Sequence, residues 1–347
     1  MNLLILGADS LVGQALAEVL ARQDQAYSAL DTQAFLALKK GELIKSVTRC
    51  NPTQVIYTAT FDDLALAERD EAAARQCDLI NSVEVTEVAE VCEKLQLPLL
   101  YHSSSYVFDG RKVHPYQEDD EASPQCRYGQ SKLAGERTLR DTLPKHLILR
   151  TDWVFDRRQP AYFAQLLQRF RDNGGKLRLM SRRFNPTPAS DVARVMLGIA
   201  RQIDCAADVW GTYHYGALQA VAQEVFAEQL LQEAARYDPM LAALLPALEI
   251  TREPVTAPWI GNSSLSAQRL FETFGIKQRS RAGELSAILQ ALCNYTPPVQ
   301  PDTAPAVEAA PASAPADTER AGGGTRRRLR KKPGSAKPAS KDAGQTK

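Results

Sequence analysis

The first 150 residues alternate between short apolar runs of β type and longer stretches with apolar residues at helical spacing, and this alternation narrows the fold more than any other feature. Strand candidates are Leu3–Leu6, Tyr27–Leu30, 54–58, 98–102 and 147–150, and between them Leu11–Arg22, 64–95 and 128–139 read as helical. Each parallel crossover needs a dozen or more residues, so the pattern predicts an α/β, Rossmann-like, doubly wound parallel sheet covered on both faces. From about 151 to 295 the pattern becomes mostly helical, at 161–171, 190–202, 220–235 and 285–292. This stretch reads as a smaller C-terminal lobe covering a substrate. The expected organisation is one domain over 1–295, with 1–150 mainly binding a dinucleotide and 151–295 mainly binding substrate.

Beyond Tyr295 the composition changes: a Pro/Ala-rich stretch, then Gly322-Gly323-Gly324, then a basic cluster with almost no large apolar residues. Such a segment buries too little surface to offset its ordering entropy, so 296–347 is expected to be disordered. It holds ten Lys/Arg and five acids; removing these from the totals of 42 and 41 leaves a mildly acidic body. Arg326, Arg327, Arg328, Arg330, Lys331 and Lys332 place six cations within seven residues, enough for salt-sensitive contact with nucleic acid or another polyanion. The alternative is a solubilising tail. The six cysteines are scattered without a Cys-x-x-Cys pair and the four histidines lack metal-ligand spacing, so no metal site is expected. No apolar run reaches membrane-spanning length and no signal peptide is evident, which reads as a cytoplasmic protein.

The first strand runs into Gly7-Ala8-Asp9-Ser10-Leu11-Val12-Gly13 and then directly into a helix. Glycines at such a turn let the backbone approach a pyrophosphate seated on the helix N-terminus, although Ser10 stands where a further glycine is usual. A plain strand-to-helix turn is the competing reading. Asp31, closing the second strand, either bonds the adenosine ribose hydroxyls or caps the next helix; no adjacent Arg offers itself to a 2′-phosphate, which favours NADH over NADPH. Tyr128 and Lys132 lie four apart in a helical stretch and share one face. A nearby ammonium is expected to lower the phenol pKa and make Tyr128 a usable proton donor or acceptor. Ser103-Ser104-Ser105 follow the fourth strand, at the end where open parallel sheets bind ligands.

Tyr101-His102-Ser103-Ser104-Ser105-Tyr106-Val107-Phe108-Asp109-Gly110, the segment 115–136 ending in RYGQSKLAGE, LRTDWVF at 149–155, Asn185-Pro186-Thr187 and GTYHY at 211–215 occur in that order. In these five motifs the chain, over roughly 1–293, resembles the dTDP-4-dehydrorhamnose reductases, extended short-chain dehydrogenases/reductases that serve nucleotide-sugar and cell-surface polysaccharide biosynthesis. The resemblance implies an NADPH or NADH cofactor and a nucleotide-sugar substrate whose C4 ketone is reduced. It implies that Tyr128 donates the proton, that Lys132 orients it and holds the nicotinamide ribose, and that Ser104 polarises the keto oxygen. Gly7, Ser10, Leu11, Val12, Gly13, Asp31, Thr58, Ala59 and Thr60 would then line the cofactor, and Ser105, Tyr106, Trp153 and Arg182 the substrate. Asn81 would match a structural or catalytic Asn on the preceding long helix.

Four departures stand out. Ser105 replaces an Asp before the Tyr-Val-Phe, Ser10 replaces a glycine, 58–66 replaces an Asn-Ala-Ala-Ala run with its following Thr, Asp and Lys, and Arg182-Arg183-Phe184 replaces a Gln-x-Gly. Trp153 could be core, Asn81 could satisfy a helix kink, and Arg182 and Arg183 could be a solvated pair instead of a diphosphate clamp. Two other functions fit the fold: a non-catalytic dinucleotide-binding scaffold resembling the regulatory subunit of methionine adenosyltransferase, and an epimerase or dehydratase, for which the further acid or base residues are not identified.

Overall fold

The computed structural model describes residues 1–293, and its first half follows the alternation closely: β1 (Leu3–Leu6), α1 (Leu11–Arg22), β2 (Tyr27–Leu30), α2 (Thr32–Leu36), α3 (Lys40–Cys50), β3 (Gln54–Tyr57), α4 (Leu64–Arg69), α5 (Glu71–Asp78), α6 (Glu84–Leu95), β4 (Leu99–Ser104), α7 (Arg127–Thr142) and β5 (His146–Thr151). Then come β6 (Val154–Phe155), α8 (Ala161–Asp172), β7 (Lys176–Met180), β8 (Arg183–Phe184), β9 (Thr187–Pro188), α9 (Ala189–Asp204), β10 (Gly211–Tyr215), β11 (Val221–Ala222) and α10 (Gln223–Ala234). The main sheet has six parallel strands in the order β2, β1, β3, β4, β5, β10. The expected basic tail lies outside the described residues.

β1 shows why the sheet is doubly covered. All four of its residues are buried, as a central parallel strand requires. Successive side chains point to opposite faces, so Leu3 and Ile5 pack with Val12, Leu16 and Leu20 of α1 and Val192, Met196 and Ile199 of α9. Leu4 and Leu6 face Val47 of α3, Val85 and Val88 of α6 and Leu139 of α7. A separate apolar cluster joins α8, β7 and α10 through Phe163, Phe170, Leu177, Leu179, Phe226 and Leu230, with Ile288 and Leu289 of the last helix.

The structure departs from the sequence expectation in three places. The stretch 64–95 is not one helix: Asp70 is extended (φ −126, ψ 121) and caps α5 by accepting from the Ala73 N–H at 2.8 Å, and a π turn at Leu79–Val83 precedes α6. Asp63 caps the start of α4 in the same way, and Asp70 alone draws the backbone out of the helix between α4 and α5. The stretch 220–235 begins as a strand, because Val221 and Ala222 pair with Phe184 and Arg183 before the helix starts at Gln223. Residues 211–215 are the sixth strand of the main sheet, alongside β5. Among the described residues no helix is long and apolar enough to cross a membrane, and no group of His, Cys, Asp or Glu is arranged to hold a metal.

Candidate active site

The residues just beyond the carboxyl ends of the parallel strands meet along one edge of the sheet, because Leu6 registers with Leu30 and Tyr57, and Ser104 with Thr151. Gly7, Asp31, Thr58, Ser105 and Asp152 therefore all leave the sheet on the same side, where doubly wound folds bind ligands. A cleft of about 620 Å³ opens there.

Its dinucleotide end is built by the first turn. Gly7 has φ +89, and a Cβ on it would fall 2.1 Å from the Ala59 backbone nitrogen, so only glycine lets β1 and β3 approach. Ser10 caps α1: its hydroxyl accepts from the Gly13 N–H at 3.0 Å and donates to the Gly7 carbonyl at 2.8 Å. The missing glycine is thus a helix cap, which occupies one N–H of the helix terminus. Leu11 and Val12, the first two helical residues, line the cleft with N–H groups that have no partner within the helix. Thr58 donates to the Gly7 carbonyl at 2.9 Å, and Thr60 lines the cleft. Ala59 is fully buried against Gly7 and does not reach the cleft. Asp31 begins α2 without any side-chain cap bond, so its carboxylate is not consumed by the helix.

Tyr128 comes to this cleft on α7, which starts at the cap Cys126, while Lys132, one turn further on, is buried and does not line it. Gly129 permits the docking: a Cβ there would lie 2.1 Å from the Tyr106 carbonyl oxygen. The hydroxyls of Ser104 and Thr60 beside the Tyr128 phenol favour its ionised form. Here the structure corrects the sequence expectation of a lowered phenol pKa. Burial pushes the phenol well above its ordinary 10, the two hydroxyls oppose this, and the Asp62 carboxylate adds to it. Tyr128 is therefore a neutral proton donor across the physiological range.

Lys132 is 1% exposed; its Nζ donates to the His102 carbonyl at 3.1 Å and sits 5.1 Å from the centre of the Tyr101 ring. Burial brings its pKa down to about 8. The His102 imidazole, held to about 3 by burial and then by Lys132, stays neutral and bonds Thr151 Oγ1 at 2.8 Å. One helical turn after Lys132, buried Glu136 accepts from Ser103 Oγ at 2.5 Å, from Arg150 at 2.6 and 2.8 Å, and from Arg140 at 2.7 Å. These bonds fasten α7 to β4 and β5 between the anchors of Lys132 and Ser104.

Asn81 reaches the same region from the π turn. Its amide donates to Ser131 Oγ at 3.1 Å and the Phe61 carbonyl at 3.0 Å, and its oxygen accepts from the Phe61 N–H at 3.2 Å and Thr60 Oγ1 at 3.4 Å. It positions the Thr60 loop against α7 and does not line the cleft.

At the other end the cleft is aromatic. Trp153 lines it and packs on Phe155, Tyr162, Phe163, Phe184 and Phe226, so it is both wall and core. Tyr106 sits edge-on to Tyr128, with ring centres 6.0 Å apart. Arg182 lies over Phe184 and Trp259, 5.1 Å from each ring, and its buried Nε has no partner among the described residues. Arg183 instead points outward to the Ala220 carbonyl.

Ser105 does not line the cleft, contrary to its expected substrate contact. It is fully buried and donates to Asp152 Oδ1 at 3.1 Å, while Asp152 Oδ2 accepts from the Asn185 N–H at 2.5 Å. A carboxylate thus still adjoins position 105, delivered from β5, and Asp152 does line the cleft. Burial raises its pKa to about 6 against the pull of its hydrogen bonds. Sequence reasoning also missed Asp62, His102, Tyr162, Arg178, Met180, Glu253 and Trp259 of the cleft wall. Trp259 and Glu253 arrive from more than 100 residues downstream of Tyr128, and no local pattern marks them.

Residues 1–294 match the family model described as the RmlD substrate binding domain. Among curated proteins the chain is 30% identical over 280 residues to a dTDP-4-dehydrorhamnose reductase of Aggregatibacter actinomycetemcomitans, covering 80% of this chain and 94% of that protein. It is 29% identical over 284 residues to the enzyme of that name from Sinorhizobium fredii, covering 80% and 93%. The crystal structure of a dTDP-4-dehydrorhamnose reductase from Clostridium acetobutylicum shares the fold with a TM-score of 0.69 at 22% identity, over 84% of this chain and 99% of that one. A Bacillus anthracis dTDP-4-dehydrorhamnose reductase in complex with NADP does so at 0.64 and 20% identity, over 84% and 96%. With nearly all of its described length matched by one family, the chain belongs to the RmlD substrate binding domain family.

Proposed function

We propose that the protein is an NAD(P)H-dependent reductase of a 4-keto nucleotide sugar. The observation that carries this is Tyr128, a neutral phenol that lines one cleft with Ser104, Thr60 and a helix N-terminus, with the buried Lys132 one turn further on in α7. The glycine turn and the free N–H groups of Leu11 and Val12 fit a pyrophosphate, and the names of the curated relatives support the substrate class. When bound, the reduced dinucleotide supplies a hydride to the carbonyl carbon. Tyr128 gives its proton to the carbonyl oxygen as charge develops there, and Ser104 holds the same oxygen by hydrogen bond. The Lys132 ammonium stabilises the tyrosinate left behind.

In this reading residues 1–150 mainly hold the dinucleotide, while Trp153, Tyr106 and Arg182 receive the sugar and its diphosphate. Arg182, fixed between two aromatic rings with a buried N–H unused, suits an oxyanion. A cytoplasmic site of action fits six free thiols and a reduced cofactor. The cations at 326–332 give the protein weak, salt-sensitive affinity for polyanions; truncation after Tyr295 removes any such retention on a nucleic-acid column, and equal retention of both proteins refutes it.

The test adds NADH or NADPH and a dTDP-4-keto-6-deoxy sugar to the purified protein and follows cofactor oxidation. Turnover, lowered about 10²- to 10⁴-fold in Tyr128→Phe with cofactor binding kept, is the expected result. Binding without turnover on any 4-keto sugar overturns the reductase in favour of a scaffold.

A further inference from the structure

A buried carboxylate destabilises a fold unless a cation or enough hydrogen bonds hold it. Among the described residues four carboxylates are buried: Glu136, Asp152, Asp156 and Asp191. Three of them hold a guanidinium, Glu136 that of Arg150 at 2.6 Å, Asp156 that of Arg158 at 2.7 Å and Asp191 that of Arg194 at 2.7 Å. Asp152, 7% exposed, has no ion pair among the described residues. Its hydrogen-bond partners are neutral: the Ser105 hydroxyl at 3.1 Å on Oδ1 and the Asn185 N–H at 2.5 Å on Oδ2, with the Ser263 hydroxyl nearby favouring the ionised form. An ionised carboxylate offers about four lone-pair sites, so a further donor can be accepted.

The position of this group in the fold is set by the sheet. Asp152 is the first residue beyond β5, and the register pairs Thr151 of β5 with Ser104 of β4. Asp152 therefore leaves the sheet one strand over from the end of β4, a spacing of about 4.8 Å. It lines the cleft together with Ser104, Tyr106, Tyr128 and Trp153. If its task were only to tie β4 and β5 to the Asn185 loop, an amide oxygen would accept the same two bonds without placing a charge in a buried setting.

Resting on the nucleotide-sugar reading above, we propose that Asp152 selects for a hydroxylated sugar by accepting a hydrogen bond from a ring hydroxyl while the ketone lies against Ser104 and Tyr128. A hydroxyl gives the carboxylate the donor it lacks. A sugar without that hydroxyl covers Asp152, excludes water from it and leaves its lone pair unanswered. A bond from a neutral donor to a charged acceptor corresponds to about 10- to 100-fold in affinity.

The experiment titrates the full chain by calorimetry, without dinucleotide, using dTDP, dTDP-6-deoxyglucose and the 2-deoxy and 3-deoxy forms of that nucleotide sugar. The parent protein binds the full sugar about 10- to 100-fold more tightly than at least one of the deoxy forms. Asp152→Asn, which keeps an oxygen for Ser105 and Asn185, and Asp152→Ala both bring that ratio close to one, while dTDP binds to them as it does to the parent. Deoxy sugars bound by the parent as tightly as the full sugar, or a ratio unmoved in both variants, overturns the proposal; Asp152 is then a fastener of β4, β5 and the Asn185 loop, and the reductase reading stands. If neither dTDP nor any of the sugars binds, the nucleotide-sugar reading falls and takes the hydroxyl contact with it.

Discussion

Replacing Lys132 by methionine should abolish catalysis and stabilise the fold. The ammonium is 1% exposed and has one carbonyl partner, His102, at 3.1 Å. Burial lowers its pKa from 10.5 to about 8, and that difference corresponds to about 3 kcal/mol of unfavourable free energy for keeping the proton in the folded state. The sign follows from linkage. Below pH 8 the lysine is protonated both folded and unfolded, and the full cost is present; between 8 and 10.5 it fades; above 10.5 it is gone. Methionine fills a similar volume without charge, but forfeits the bond to His102, about 1 kcal/mol. The net expectation is a gain of about 2 kcal/mol at pH 7, or a rise of roughly 4–8 °C in Tm for a domain of this size. Urea titration of Lys132→Met and the parent at pH 7 and pH 10.5 measures it, with equal slopes expected, a higher midpoint for the variant at pH 7, and that advantage lost or slightly reversed at pH 10.5, where the forfeited His102 bond is the main difference left. A variant less stable than the parent at pH 7, or equally more stable at both pH values, would refute the reasoning and make Lys132 a structural residue.

The same lysine gives kcat/KM of reduction a descending limb centred near pH 8, as the ammonium that stabilises the tyrosinate is lost; a pH–rate profile flat to pH 10 would contradict this. Gly129→Ala forces a Cβ within 2.1 Å of the Tyr106 carbonyl, which shifts α7 and Tyr128; a loss of about 2 kcal/mol in denaturant and a lower kcat are expected, and an unchanged enzyme is not compatible with the packing described. Glu136→Ala leaves Arg150, 3% exposed, without its carboxylate, and should cost about 3–5 kcal/mol in thermal or urea unfolding. Full stability of that variant would remove Glu136 as the fastener of α7.

Much of this site was legible in the sequence because it lies where local pattern and topology coincide. Four apolar residues followed by glycine specify β1 and its turn, and residues at the carboxyl ends of successive parallel strands must converge, so Ser104, Thr58 and the loop at Gly7 could be placed together before any contact was known. Tyr128 and Lys132 share a face through helical spacing alone. The breaks at Asp70 and Leu79 were not legible, since Ala-rich flanks favour helix and only the capping geometry reveals that the acid has left it. α2 and α3, which cross between β2 and β3, were not expected, although Leu43 and Val47 of α3 lie at helical spacing and pack on the core. The phenol pKa was misjudged for a physical reason: sequence shows a lysine one helical turn away but not the burial of the phenol, which raises it. Asp152 was invisible as the partner of Ser105, because the two are 47 residues apart and meet only through the β4–β5 register.

The central claim is that Tyr128 protonates a ketone which receives a hydride in this cleft. Incubating the full-length protein with 4-deuterated reduced nicotinamide dinucleotide and a dTDP-4-keto-6-deoxyhexose, and locating the label by NMR, tests it most directly. The account predicts deuterium on C4 of a newly formed secondary alcohol, absent with Tyr128→Phe although that variant still binds the dinucleotide. Undeuterated ketone recovered from a protein that binds both ligands, or label transferred equally well by Tyr128→Phe, would contradict it.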